Sequence, residues 1–214
     1  MKYTTAVFDF DLTLADSSKP IISCFKKTLK EFNYPEVDDK TIFGTIGMTL
    51  IDALNFLTGI PDNPQSEEMR LFYVSQADKI MVEQTEFFPD TIAVLQTLRL
   101  AGVKIGIVST KFRYRIENTF KAKGCGFDVD IIIGGDDVPL AKPDPTGLLT
   151  SIYKLKAEKE NVIYIGDSYI DAQTAKNAGV DFAGVLTGST NLIAFSEYPS
   201  VYIGKSLTDI FCNI

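Results

Sequence analysis

The sequence contains no histidine. That absence removes imidazole from acid–base work, from metal ligation and from activation of a serine or cysteine nucleophile. Carboxylates, lysines and hydroxyls are left to carry any chemistry. Cysteine is scarce as well: Cys24, Cys125 and Cys212 are odd in number, far apart and outside any ligand spacing. They predict neither a disulfide framework nor a zinc site, and they fit a reducing compartment. Positive charge is also short, with 21 Lys and Arg against 28 Asp and Glu and a formal net charge of −7. A nucleic acid would have to bind against that field, so it is not the expected partner. The opening run MKYTTAVFDFDLT meets two aspartates after an apolar stretch too short for a signal-peptide core or a membrane span. The expectation is a soluble, cytoplasmic chain with no membrane association.

What is present is an ordinary globular mixture, 45% hydrophobic and 23% charged over 214 residues. That is enough apolar mass for one large domain, or for a medium domain carrying an insert. Short β-branched and aromatic segments predict strands over Thr4 to Phe8, Val103 to Val108, Val129 to Ile133, Val162 to Ile165 and Asp181 to Leu186. Helical spacings lie between them: Ile92, Leu95 and Leu98; Ile116 and Phe120; Leu148, Ile152 and Leu155. This alternation predicts an α/β fold, a parallel sheet with helices on both faces.

The stretch from about residue 16 to 88 holds no evident strand and is much longer than one crossover helix needs. A small helical insert is expected there. Ser17 or Ser18 would cap a helix with Ile21, Phe25, Leu29 and Phe32 on its apolar face. A second runs through Leu50, Ile51, Leu54 and Leu57, and a third starts at Asp62-Asn63-Pro64 and carries Met69, Phe72 and Ile80. Two connections, near Leu14 to Ser18 and near Phe87 to Asp90, would form a hinge.

Four chemical elements stand at predicted strand ends or helix starts. The first strand ends in Asp9-Phe10-Asp11-Leu12-Thr13, and carboxyl ends of parallel strands are where open α/β sheets bind ligands. Val103 to Val108 ends in Ser109-Thr110. Ala141-Lys142-Pro143-Asp144-Pro145 offers one lysine on a proline-stiffened turn. Gly166-Asp167-Ser168-Tyr169-Ile170-Asp171 adds two more carboxylates after another strand.

In this order, DxDxT, a Ser or Thr, a Lys and GDxxxD resemble the motifs of the haloacid dehalogenase superfamily over nearly the whole chain. The resemblance implies a Rossmann-like core at 1–15 and 88–214 and a helical C1 cap at 16–87. Converging aspartates repel one another by about 4 kcal/mol per close pair at intermediate dielectric. They call for a cation, and oxygen-only ligands suit Mg²⁺. By motif position Asp9 would be the nucleophile, forming an aspartyl-phosphate. Asp11 would protonate the leaving oxygen and later deprotonate water. The implied metal ligands are Asp9, the backbone carbonyl of Asp11, and Asp167, with Asp171 behind them. Ser109, the Thr110 amide and Lys142 would hold the phosphoryl oxygens.

Other residues have plainer expected roles. Asp136-Asp137 is expected in a turn, Asp16 at a helix start, and Lys111, Arg113 and Arg115 on a solvated helix face. Phe87-Phe88 is expected in hinge-side core. Gly44-Thr45-Ile46-Gly47 suits either a substrate loop or a plain turn. Leu12 stands where the family most often has Gly, which would cost about 1 kcal/mol if that residue took positive φ.

Asp11 argues for phosphoryl transfer, since expelling a halide needs no general acid. Mutases of the β-phosphoglucomutase type commonly place histidine near the position of Ile21, which disfavours that branch. The resemblance then implies a phosphatase of the phosphoglycolate phosphatase-like subfamily, acting on a small phosphorylated metabolite. A pyrophosphatase of the same superfamily is the alternative, and a non-catalytic phosphate-binding protein a minor one. A monomer or weak homodimer is expected.

Overall fold

The computed structural model describes residues 2–124 and 129–214; Cys125 lies outside the described residues. The chain starts with β1 (Thr5–Phe8) and leaves the core through β2 (Ala15–Asp16). The helices α1 (Ser18–Glu31), α2 (Asp39–Phe43), α3 (Leu50–Thr58) and α4 (Ser66–Gln84) follow, and β3 (Glu86–Phe87) brings the chain back. The remainder alternates α5 (Thr91–Leu100), β4 (Lys104–Val108), α6 (Arg113–Ala122), β5 (Ile131–Ile133), α7 (Thr146–Leu155), β6 (Val162–Gly166), α8 (Tyr169–Ala178) and β7 (Asp181–Val185). It ends with α9 (Leu192–Phe195), β8 (Tyr202–Gly204) and α10 (Leu207–Asn213).

Among the described residues six strands form a parallel sheet in the order β5-β4-β1-β6-β7-β8. Successive strand residues face opposite sides, so each strand feeds two cores. Phe8, Ile105, Ile107, Ile163 and Ile165 pack with Leu95 and Leu98 of α5, Ile116 and Phe120 of α6, and Ile210 of α10. Val7, Val108, Tyr164 and Phe182 pack with Leu148 and Ile152 of α7, Ala175 of α8 and Phe195 of α9. Burial on both faces explains why these strands appear in the sequence as nearly continuous apolar runs.

The insert has its own core, in which Ile21, Phe25 and Leu29 of α1 meet Leu54 of α3 and Met69, Tyr73, Ala77 and Met81 of α4. The buried face of α4 therefore recurs every four residues from Met69, and the expected Phe72 and Ile80 flank it only partly buried. Ser17 occupies the N-cap position of α1 without capping it, and its hydroxyl donates to Asp11. Asp16 Oδ1 accepts from the Ser18 amide instead, at 3.0 Å.

The 16–88 stretch is not free of strand. Ala15 pairs with Phe87 and Asp16 with Glu86, so the two crossings between core and insert are zipped into one antiparallel ribbon. Two-residue strands carry no periodicity, so the sequence pattern could not announce them.

Candidate active site

The sheet order reverses at β1: the chain builds outward through β4 and β5, then crosses to β6 on the other side. Such a reversal opens a crevice at the carboxyl ends of the two strands that flank it. Phe8 registers with both Ile107 and Ile165, so β1, β4 and β6 end at nearly one level. The Asp9 amide donates to Ile165 O at 2.8 Å and the Ser109 amide to Ile133 O at 3.0 Å. The sheet's hydrogen bonding thus sets Asp9, Ser109 and Asp167 at the mouth of the crevice.

Asp9, Asp167 and Asp171 are all buried, and each offers an oxygen such that the three lie within 4.8 Å of one another. Two glycines permit that crowding. A Cβ on Gly188 would lie 1.8 Å from Asp167 Oδ2, and one on Gly166 would lie 2.3 Å from the Asp171 Cβ. Thr13 donates its hydroxyl to Asp167 Oδ1 at 3.0 Å.

Lys142 supplies the opposing charge. Its Nζ lies 2.6 Å from Asp171 Oδ1, 3.2 Å from the Tyr164 hydroxyl and 3.0 Å from Asp9 Oδ1. The last approach falls outside hydrogen-bond angles, so Asp9 Oδ1 is charge-paired yet has no donor aimed at it. Asp171 is saturated by comparison. Its Oδ1 also accepts from Tyr164 at 3.0 Å, and its Oδ2 accepts from the Ser168 amide and hydroxyl in a capping box that starts α8. Asp171 therefore both ends the loop and aims Lys142.

Burial pushes the Asp9 carboxyl up; Lys142 pulls it down, Asp171 and Asp11 push it further, and it comes to about 6. Burial also holds Asp167 well above the usual carboxylate range, with Asp171 and Asp9 adding to the effect. Burial alone would lower the Lys142 ammonium, but Asp171 and Asp9 outweigh it and hold its pKa well above the ordinary lysine value.

Asp11 is turned the other way. Its Oδ1 accepts from the Ser17 hydroxyl and from Lys111 Nζ, the latter at 2.7 Å. Leu12 does adopt positive φ, at 59°, and its buried side chain joins the apolar core of the insert. The strain is offset by packing that glycine could not supply.

A cavity of about 220 Å³ opens from Asp11, Thr110 and Lys111 into the insert, where Thr45, Ile46 and Gly47 line it. Of the Gly44-Thr45-Ile46-Gly47 segment, the last three residues are thus cavity wall on the insert side. Two of the three basic residues expected on a solvated face are buried instead. Lys111 meets Asp11, and Arg115 crosses from α6 to α4, with Nη2 2.7 Å from Asp78 Oδ1 and 3.1 Å from Val74 O. Only Arg113 stays near solvent, paired with Asp137. Residues at i and i+2 do not share a helix face, and that spacing could have separated Arg115 from Arg113. Asp136 and Asp137 hold a turn, accepting from the Arg113 and Gly134 amides.

The oxygens of Asp9 and Asp167, with one buried Asp9 oxygen lacking a donor, fit a hard divalent cation such as Mg²⁺. Among the described residues no helix is long and apolar enough to cross a membrane. The described thiols, Cys24 and Cys212, are unpaired.

Residues 6–185 match the haloacid dehalogenase-like hydrolase family. The chain is 35% identical to pyrophosphatase PpaX of Listeria welshimeri, over 100% of this chain and 97% of that protein. It is 27% identical to pyrophosphatase PpaX of Bacillus velezensis, over 98% and 95%. A Bacteroides fragilis protein assigned to the haloacid dehalogenase-like hydrolases superposes with TM-score 0.95 at 46% identity, over 97% of this chain and 99% of that one. A Lactobacillus plantarum protein assigned as a phosphoglycolate phosphatase superposes with TM-score 0.86 at 25% identity, over 100% of both chains.

Proposed function

The chain belongs to the haloacid dehalogenase-like hydrolase family, and from that premise we propose a Mg²⁺-dependent phosphatase that hydrolyses a small phosphomonoester through an aspartyl-phosphate on Asp9. Within the family its architecture is of the phosphoglycolate phosphatase-like kind, with residues 1–15 and 88–214 as core and 16–87 as cap. The observation that carries this reading is the convergence of Asp9, Asp167 and Asp171 around Lys142, with Asp9 Oδ1 charge-paired to Lys142 but accepting no hydrogen bond. A carboxylate outside the hydrogen-bond network can give one oxygen to a cation and the other to a phosphorus atom.

Asp9, the Asp11 carbonyl and Asp167 would hold Mg²⁺, which when bound supplies positive charge against the carboxylates and the incoming phosphoryl group. Lys142, Ser109 and the Thr110 amide hold the phosphoryl oxygens in line with Asp9. A carboxylate oxygen of Asp9 attacks phosphorus while the ester oxygen leaves with a proton from Asp11. Asp11 then takes a proton from the water that attacks the same phosphorus, which frees Asp9 and inorganic phosphate. Asp171 acts through Lys142, which it orients, and the cap keeps bulk water from the acyl phosphate. The unpaired thiols support a reducing, cytoplasmic setting.

The names of the Listeria and Bacillus relatives favour pyrophosphate as a second reading. Phosphate release from an aryl phosphate tests the first reading. It should require Mg²⁺ and vanish in Asp9→Asn, and activity surviving that substitution would remove the aspartyl-phosphate.

A further inference from the structure

The cavity that runs from Asp11 into the cap is where a leaving group would sit, and its walls are unlike those an anion needs. Its sides are Ile21, Phe25, Ile46, Met48, Leu50 and Phe112. Three cations reach it, and each has a carboxylate partner that an incoming anion would have to displace. Lys111 is 2.7 Å from Asp11, Arg115 is 2.7 Å from Asp78, and Arg70 holds Glu67 through two hydrogen bonds of 2.8 and 2.6 Å. A second phosphate or a carboxylate placed there would lose its water against an apolar wall and would have to compete with Asp11, Asp78 and Glu67 for its counter-charge, and a buried charge without a partner of its own is strongly unfavourable. The neutral polar side chains on the wall are Thr110 beside Asp11 and, further in, Thr45, Thr49 and Tyr73, whose hydroxyl has no hydrogen-bond partner among the described residues. About 220 Å³ holds several waters, or one small organic group.

We infer that the leaving group of the natural substrate is a small uncharged organic group with an apolar body, an alcohol or phenol of one ring or a short hydrocarbon chain, and neither phosphate nor a carboxylate-bearing alcohol. This rests on the phosphatase reading above and narrows its substrate. The ester R–O–PO₃²⁻ and water give R–OH and inorganic phosphate. Asp11 donates the proton that the leaving oxygen takes, and recovers one from water. The Tyr73 hydroxyl is placed to bond a single oxygen on R, while the aliphatic and aromatic wall covers the rest.

The test compares kcat/KM with Mg²⁺ for n-butyl phosphate, phosphoglycolate and pyrophosphate. Butanol is a poorer leaving group than glycolate or phosphate, so a preference for the butyl ester can arise only from binding. The butyl ester should be favoured about tenfold or more over both anionic alternatives. Met48→Ala should lower kcat/KM for the butyl ester about tenfold, more than for methyl phosphate, and Leu50→Arg should shift preference toward phosphoglycolate and pyrophosphate. Equal or better turnover of either anionic substrate by the wild type would overturn the inference and leave the phosphatase reading standing. So would variants that change every substrate alike. No turnover of any ester, or activity retained in Asp9→Asn, would overturn the phosphatase reading itself and this inference with it.

Discussion

The Lys111 ammonium lies 2.7 Å from Asp11 Oδ1, on the same oxygen that accepts from Ser17. Two donors from different elements converge on one carboxylate oxygen and fix the side chain that the proposed mechanism uses as acid and base. Lys111→Met should therefore lower kcat about tenfold to a hundredfold with a much smaller change in KM, a part of the roughly hundredfold to ten-thousandfold that a positioned general acid contributes. Lys111→Arg should recover part of the loss. Steady-state kinetics on one ester separate this from a binding role, in which KM would carry the change.

Asp9 gives the metal-free protein a definite pH dependence. Its pKa comes to about 6 in the folded chain against a reference of 3.8. The folded state therefore binds more protons than the unfolded state between these values. Stability from this group is fully present below about pH 4 and is lost as pH rises through about 6, by about 3 kcal/mol at order of magnitude. Mg²⁺ binds the ionised form, so the rise in Tm on adding Mg²⁺ should be small at pH 5 and large at pH 8. Asp9→Asn should stabilise the metal-free protein at pH 8 and flatten that dependence. Calorimetry with and without metal reads both effects.

Leu12 poses a sign question that magnitudes decide. Glycine at φ 59° would relieve about 1 kcal/mol of backbone strain. Removing a leucine buried in the cap's core costs about 2–5 kcal/mol. Leu12→Gly should thus be destabilised by about 1–4 kcal/mol, seen as a lower denaturant midpoint with an unchanged m-value. A stabilised variant would mean that the packing does not hold the strained residue.

Gly188→Ala tests the crowding around Asp167, because the new Cβ would lie 1.8 Å from Asp167 Oδ2. The carboxylate must turn away and, with the Asp167 Cβ itself 2.8 Å from the new atom, the two segments must part slightly, so the concentration of Mg²⁺ needed for half-maximal activity should rise about tenfold or more. The metal-free Tm should fall less than the clash alone would cause, since displacing Asp167 relieves a buried cluster of like charge.

The legible parts of this molecule were those carried by continuous local pattern. The runs at Thr5–Phe8, Lys104–Val108 and Val162–Gly166 are buried on both faces, and abrupt Asp or Ser endings mark where each meets the crevice. The strand Tyr202–Gly204 and the helix Asp39–Phe43 are too short to show a period, and neither was expected. Lys111 and Arg115 misled for another reason. Their burial is created by Asp11, one hundred positions away in sequence, and by Asp78 and Val74 of the cap. A basic run looks solvated until its distant partners are known. The apolar cap wall is hidden in the same way, because Ile21, Ile46 and Phe112 meet only in the folded chain.

The central claim is a covalent phosphoryl group on Asp9. The wild-type protein, acid-quenched during turnover of an ester with Mg²⁺ and reduced with borohydride, reports it directly, since an acyl phosphate at Asp9 is reduced to homoserine at position 9. That product should appear only with both substrate and Mg²⁺. Its absence during steady turnover, together with an active Asp9→Asn variant, would contradict the account.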